Sequence, residues 1–84
     1  MKLEPGCIVR SIAGHDAGQF YMAVECGQRL VAVADGAKRT LGAPKRKNIR
    51  HLRKTNTVLD LSGIKTDEQL RAALRRYQLD EGGL

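Results

Sequence analysis

Short bursts of alternating apolar and polar residues fill the first half of the chain, and helical spacing appears only near its end. Ile8, Val9 and Ile12 form a β-prone run that starts at Gly6 and is closed by Gly14 and Gly18, with Asp16 between them. This reads as a strand running into a tight loop over residues 13–19. Residues 20–26 supply a return strand, with Phe20, Met22, Val24 and Cys26 on one face and Tyr21, Ala23 and Glu25 on the other. A turn of two to four residues around Gly27-Gln28 leads into a third strand, Leu30 to Ala34. Asp35-Gly36 predicts a type I′ hairpin whose return strand is Ala37 to Leu41, broken by Gly42-Ala43-Pro44. From Lys45 the chain resumes an extended path, with Ile49 turned inward and Lys47, Arg50 or both turned to solvent.

Five short strands with tight turns fit a mainly β fold, a small bent barrel of the SH3-like type, or a five-stranded oligonucleotide-binding barrel. Residues 1–56 make this barrel, and residues 57–65 a connector in which Val58 to Leu61 is a short extended piece. Thr66 and Gln69 then form a capping box. Leu70, Ala73, Leu74 and Tyr77 recur at helical spacing, so residues 66–78 are expected to form one C-terminal amphipathic helix docked on the barrel. A frayed tail over residues 79–84 completes the expected layout.

Charge changes the picture most. Residues 1–56 carry 11 Lys and Arg against four acids, whereas residues 57–84 carry four against five. Lys38, Arg39, Lys45, Arg46, Lys47, Arg50, Arg53 and Lys54 occupy a window without a single acid, the electrostatic signature of a polyanion binder. Lysine neutralises a phosphate as a point charge, and arginine grips it with a fork of donors. Three adjacent basic residues would suffice to guard a sheet edge; eight exceed that purpose.

Gly6, the run through Val9 and Ile12, and Gly14-x-Asp16-x-Gly18 before a second apolar strand resemble the KOW motif of ribosomal proteins and transcription elongation factors. With Leu30-Val31-Ala32-Val33-Ala34-Asp35-Gly36 and the block from Pro44 to Leu52, residues 5–56 resemble the small bacterial KOW-domain RNA-binding proteins, relatives of a large-subunit ribosomal protein family of archaea and eukaryotes. The resemblance favours the SH3-like barrel, and it implies RNA, ribosomal RNA in particular, as the polyanion. It further implies a role at the ribosome or in its assembly, with ribosomal proteins as neighbours. Gly14, His15, Asp16 and Gly18 would then be the KOW loop that sets local fit.

Other chemistry finds little footing. Cys7, His15, Cys26 and His51 lack the paired close spacing of a zinc finger or ribbon, so no metal is expected. No catalytic constellation or phosphate-binding glycine loop is present, so neither an enzyme nor a cofactor is expected. The cysteines read as reduced core residues of a cytoplasmic protein. No apolar run approaches the roughly 18 residues of a membrane span, and the free protein is expected to be a monomer. Tyr21 is the one candidate platform for a stacked base, since Phe20 and Tyr77 belong to the expected core. The economical mechanism is backbone and shape recognition of folded RNA. The rival is a protein-interaction module of SH3-like type that uses the stripe Leu70, Ala73, Leu74 and Tyr77.

Overall fold

The computed structural model describes residues 3–82, and the first hairpin lies at its centre. β1 (Cys7–Ser11) runs antiparallel to β2 (Phe20–Cys26), with Ile8 opposite Met22 and Arg10 opposite Phe20. A tight link in which the Gly27 amide donates to the Leu30 carbonyl (2.9 Å) leads to β3 (Leu30–Ala34). β4 (Lys45–Asn48) pairs with β3, and β5 (Leu52–Val58) pairs with the other side of β1. The result is one five-stranded antiparallel sheet in the order β4-β3-β2-β1-β5, with a single helix, α1 (Asp67–Tyr77), packed on it.

That order forces curvature. β4 and β5 are opposite edges, about 19 Å apart if the sheet were flat. Only the 3-10 turn Ile49–His51 separates Asn48 from Leu52, a stretch that reaches at most about 14 Å. The sheet therefore curls into a small barrel-like form whose end the turn closes. The Ile49 amide donates to the Arg29 carbonyl at 2.7 Å, and the Ile12 amide donates to the His51 carbonyl at 2.9 Å.

Strand alternation gives the curled sheet two apolar faces. Cys7, Val9, Tyr21, Ala23, Val31, Val33 and Leu52 fill the inside, joined by Leu3. On the outside, Ile8, Met22 and Ala34 meet Leu70 and Leu74 of α1, both buried. Burying one such leucine stabilises the fold by about 1.5–3 kcal/mol, so docking is the natural fate of this stripe. Phe20 and Tyr77 add an edge-to-face ring pair with centroids 5.5 Å apart. The capping box forms as expected, the Thr66 hydroxyl accepting from the Gln69 amide and the Gln69 side chain accepting from the Thr66 amide, each at 3.1 Å.

Several local expectations are corrected. Cys26 packs inside with Cys7 rather than on the face of Phe20, Met22 and Val24, because a bulge between Ala23 and Glu25 reverses the alternation. No strand forms over residues 37–41, and Asp35-Gly36 is not a type I′ turn, since Gly36 alone takes a positive φ there. Instead the Asp35 carboxylate accepts from the Ala37 and Arg39 amides, and a loop carries the chain to β4. The basic segment is not one extended run. The Asn48 side chain accepts from the Arg50 amide at 2.9 Å and starts the 3-10 turn that separates β4 from β5. β5 also extends to Val58, so no separate extended piece begins there, and Leu61–Gly63 is a second 3-10 turn. Where a frayed tail is expected, Gln78–Gly82 continues as a π-helical turn; residues 83 and 84 lie outside the described residues.

Candidate nucleic-acid interface

The loop between β1 and β2 is built around Asp16. Gly14 and Gly18 hold positive φ values of 87° and 95°, which let the chain reverse so that the Gly18 amide donates to the Ser11 carbonyl at 2.7 Å. This reversal turns Asp16 back over the mouth of the barrel. One carboxylate oxygen accepts from the Ser11 hydroxyl (2.9 Å) and from the Lys47 ammonium (2.8 Å). The other accepts from the Tyr21 hydroxyl (2.8 Å) and lies 3.4 Å from the Lys45 ammonium. Lys47 also donates to the Ala13 carbonyl at 3.3 Å, so β4 is tied to the base of the loop.

The cluster's electrostatics follow from its geometry. Burial alone raises the Asp16 carboxyl, but hydrogen bonds from Lys47, Tyr21 and Ser11 outweigh it and hold the group well below its ordinary 3.8. Burial, and then the Asp16 carboxylate, push the Tyr21 hydroxyl well above its ordinary 10.0. Lys47 is only 7% exposed, which corrects its expected place on the phosphate-facing surface. Tyr21 is likewise an inward hydroxyl donor and not a stacking platform. Asp16 thus fastens its own loop through side-chain donors from the neighbouring strands.

The remaining expected cations fall into three groups. Lys38 and Arg39 stand exposed across a cleft from His15, Gln19 and Lys45, at the mouth over Asp16. Arg46 lies with Arg29 and Leu30 along a groove on the outer side of β3 and β4. Arg50 projects from the 3-10 turn, and Arg53 and Lys54 stand exposed on β5. The alternation within β4 explains the split: Lys45 and Lys47 share the side facing Asp16, and Arg46 takes the other.

Four aspartates, by contrast, are engaged within the fold. Asp16 holds the loop, Asp35 accepts from two loop amides, and Asp60 accepts from the Ser62 amide and hydroxyl. Asp67 accepts from the Leu41 amide at 2.7 Å, tying the loop before β4 to the start of α1. Among the described residues, Lys38, Arg39, Arg46, Arg50 and Arg53 have no ion-pair partner. Sequence reasoning missed Arg10, which is exposed on β1, opposite Arg53, with its guanidinium 5.9 Å from the centroid of the Phe20 ring. Its position as the polar residue after Val9 was a signal; its partner required the strand register.

The chain matches no known protein-family model. Among the described residues, no group of three or more His, Cys, Asp or Glu is placed to hold a metal ion, and no helix is long and apolar enough to cross a membrane. Burial pushes both thiols, Cys7 and Cys26, above their ordinary 9.0, so neither is poised as a thiolate.

Proposed function

We propose that this chain is a non-enzymatic RNA-binding protein of the KOW type, which docks on folded RNA through backbone phosphates in the cytoplasm, at the ribosome or during its assembly. One observation carries the reading: Asp35, Asp60 and Asp67 are spent on loop and cap hydrogen bonds, while the exposed Lys38, Arg39, Arg46, Arg50 and Arg53 keep no ion-pair partner among the described residues. Guanidinium and ammonium groups with no ion pair to break lose little on meeting phosphate and release condensed counterions from it. The choice of RNA and of the ribosome rests on the resemblance to KOW-domain proteins.

The aromatic residues favour folded over single-stranded RNA. Tyr21 is bonded to Asp16 inside the barrel mouth, and Phe20 and Tyr77 pack on each other, so no ring stands out as a stacking platform. Phosphate and shape contacts with a helix or junction remain. The rival reading loses its proposed surface, because Leu70 and Leu74 are buried against the sheet. Competition between a folded ribosomal RNA fragment and an unstructured strand of equal length tests the choice. A preference for the folded fragment of about tenfold or more is expected for shape recognition, and equal affinity would count against it.

A further inference from the structure

The outer face of the sheet carries an arrangement that packing alone does not account for. Phe20, Arg10 and Arg53 form one row across β2, β1 and β5, each directly opposite the next. Directly opposed residues point to the same face with Cβ atoms about 4.5–5.5 Å apart, and like charges so placed oppose strand pairing. Neither arginine has an ion-pair partner among the described residues, and both are exposed. Arg10 rests 5.9 Å from the Phe20 ring centroid, and Phe20 itself packs edge-on against Tyr77.

We infer that Arg10 and Arg53 form a two-strand fork that grips a single RNA phosphodiester. An anion between two planar guanidinium groups relieves their repulsion and can accept paired hydrogen bonds from each. A lysine in either place would supply charge without the fork. The fork rests on the RNA-binding reading above and adds Arg10 to it, a residue outside the basic window.

The test compares wild type with Arg10→Gln, Arg53→Gln and the double variant, reading affinity for a folded ribosomal RNA fragment at low salt. Each single change lowers affinity about tenfold, the scale of a charge-assisted contact. The double change lowers it hardly further, because both side chains hold one phosphate. The thermal midpoint of Arg53→Gln stays level with wild type or rises, since the like-charge pair is relieved while the contact of Arg10 with Phe20 is kept; a midpoint that falls in step with affinity would mean a structural role and overturn the fork. Losses that simply add, or no loss, would also overturn it. A second arm titrates wild-type protein with inorganic pyrophosphate and follows the side-chain Nε–H resonances of Arg10 and Arg53 by NMR. Joint shifts support the fork even if the protein binds no RNA, in which case the RNA reading fails alone. If RNA binds while pyrophosphate moves neither resonance and the glutamine variants bind as wild type does, the fork fails and the RNA reading stands.

Discussion

Asp16 is the residue on which the loop and the barrel mouth both depend. It neutralises the nearly buried Lys47, and it accepts from Ser11 and Tyr21 with the same carboxylate. Asp16→Asn keeps the shape but leaves the Lys47 ammonium without its counter-charge, and should cost about 3 kcal/mol at neutral pH, measured by urea denaturation. The pH dependence has a definite sign. A carboxyl held below its ordinary 3.8 stabilises the fold above that pH, and the contribution drains away as pH falls toward the folded value. The gap between wild type and Asp16→Asn should therefore be full at neutral pH and narrow steadily below about pH 4. Tyr21 acts at the other end of the scale: raised above 10.0 in the fold, it costs stability as pH climbs past that value, because only the unfolded chain sheds the proton there. Sequence placed Asp16 in the tight loop between Gly14 and Gly18, but its partners come from β1, β2 and β4, and only the assembled sheet brings them together. Lys47 was misread for a related reason. Lys45-Arg46-Lys47-Asn48 contains no apolar marker to say which side of the strand faces in.

Among the elements, α1 and the loop before β4 hold each other. Gly36 has φ +81°, and a Cβ there would strike the Asp67 carbonyl in the first turn of the helix. Arg71 donates to the Gly36 carbonyl, and the Leu41 amide donates to the Asp67 side chain. Gly36→Ala should thus cost about 2 kcal/mol or more, through both the backbone and the displaced helix. Leu74→Asp should do greater damage, about 3–5 kcal/mol or outright unfolding, because it buries a carboxylate against Ile8 and Met22. A far-UV circular dichroism melt reads both; a folded Leu74→Asp protein of wild-type stability would contradict the docked helix. The helix was legible because Thr66, Gln69 and the stripe from Leu70 to Tyr77 are local signals that agree with one another. The loop was not. Asp35-Gly36 satisfies the hairpin rule, yet the Asp35 carboxylate folds back onto two amides and the helix seats itself on Gly36, both tertiary events. The bulge between Ala23 and Glu25 leaves no mark in the alternation either, so the inward turn of Cys26 could not be read from it.

At the scale of the whole molecule, the net charge of +6 is divided between an interior use and an exterior one. Lys45 and Lys47 close the barrel mouth over Asp16, while Lys38, Arg39, Arg46, Arg50 and Arg53 stand outward from the loop, the 3-10 turn and the strands. The basic window was plain in the sequence; its division was not, because β4 and β5 are neighbours along the chain and opposite edges in the sheet order. A variant that removes Lys47 would confuse folding with binding, so the informative one is Arg46→Gln, Arg50→Gln, Arg53→Gln, all at exposed positions. The decisive measurement is the affinity of the wild type and this triple variant for a folded ribosomal RNA fragment across a salt series. If about four phosphates are neutralised, log affinity should fall against log salt with a slope of about −3 to −4 for the wild type, and the slope should be shallower by about 2 to 3 in the variant at unchanged thermal stability. A wild-type affinity that ignores salt, or a variant that binds with the wild-type slope, would contradict phosphate docking by these arginines.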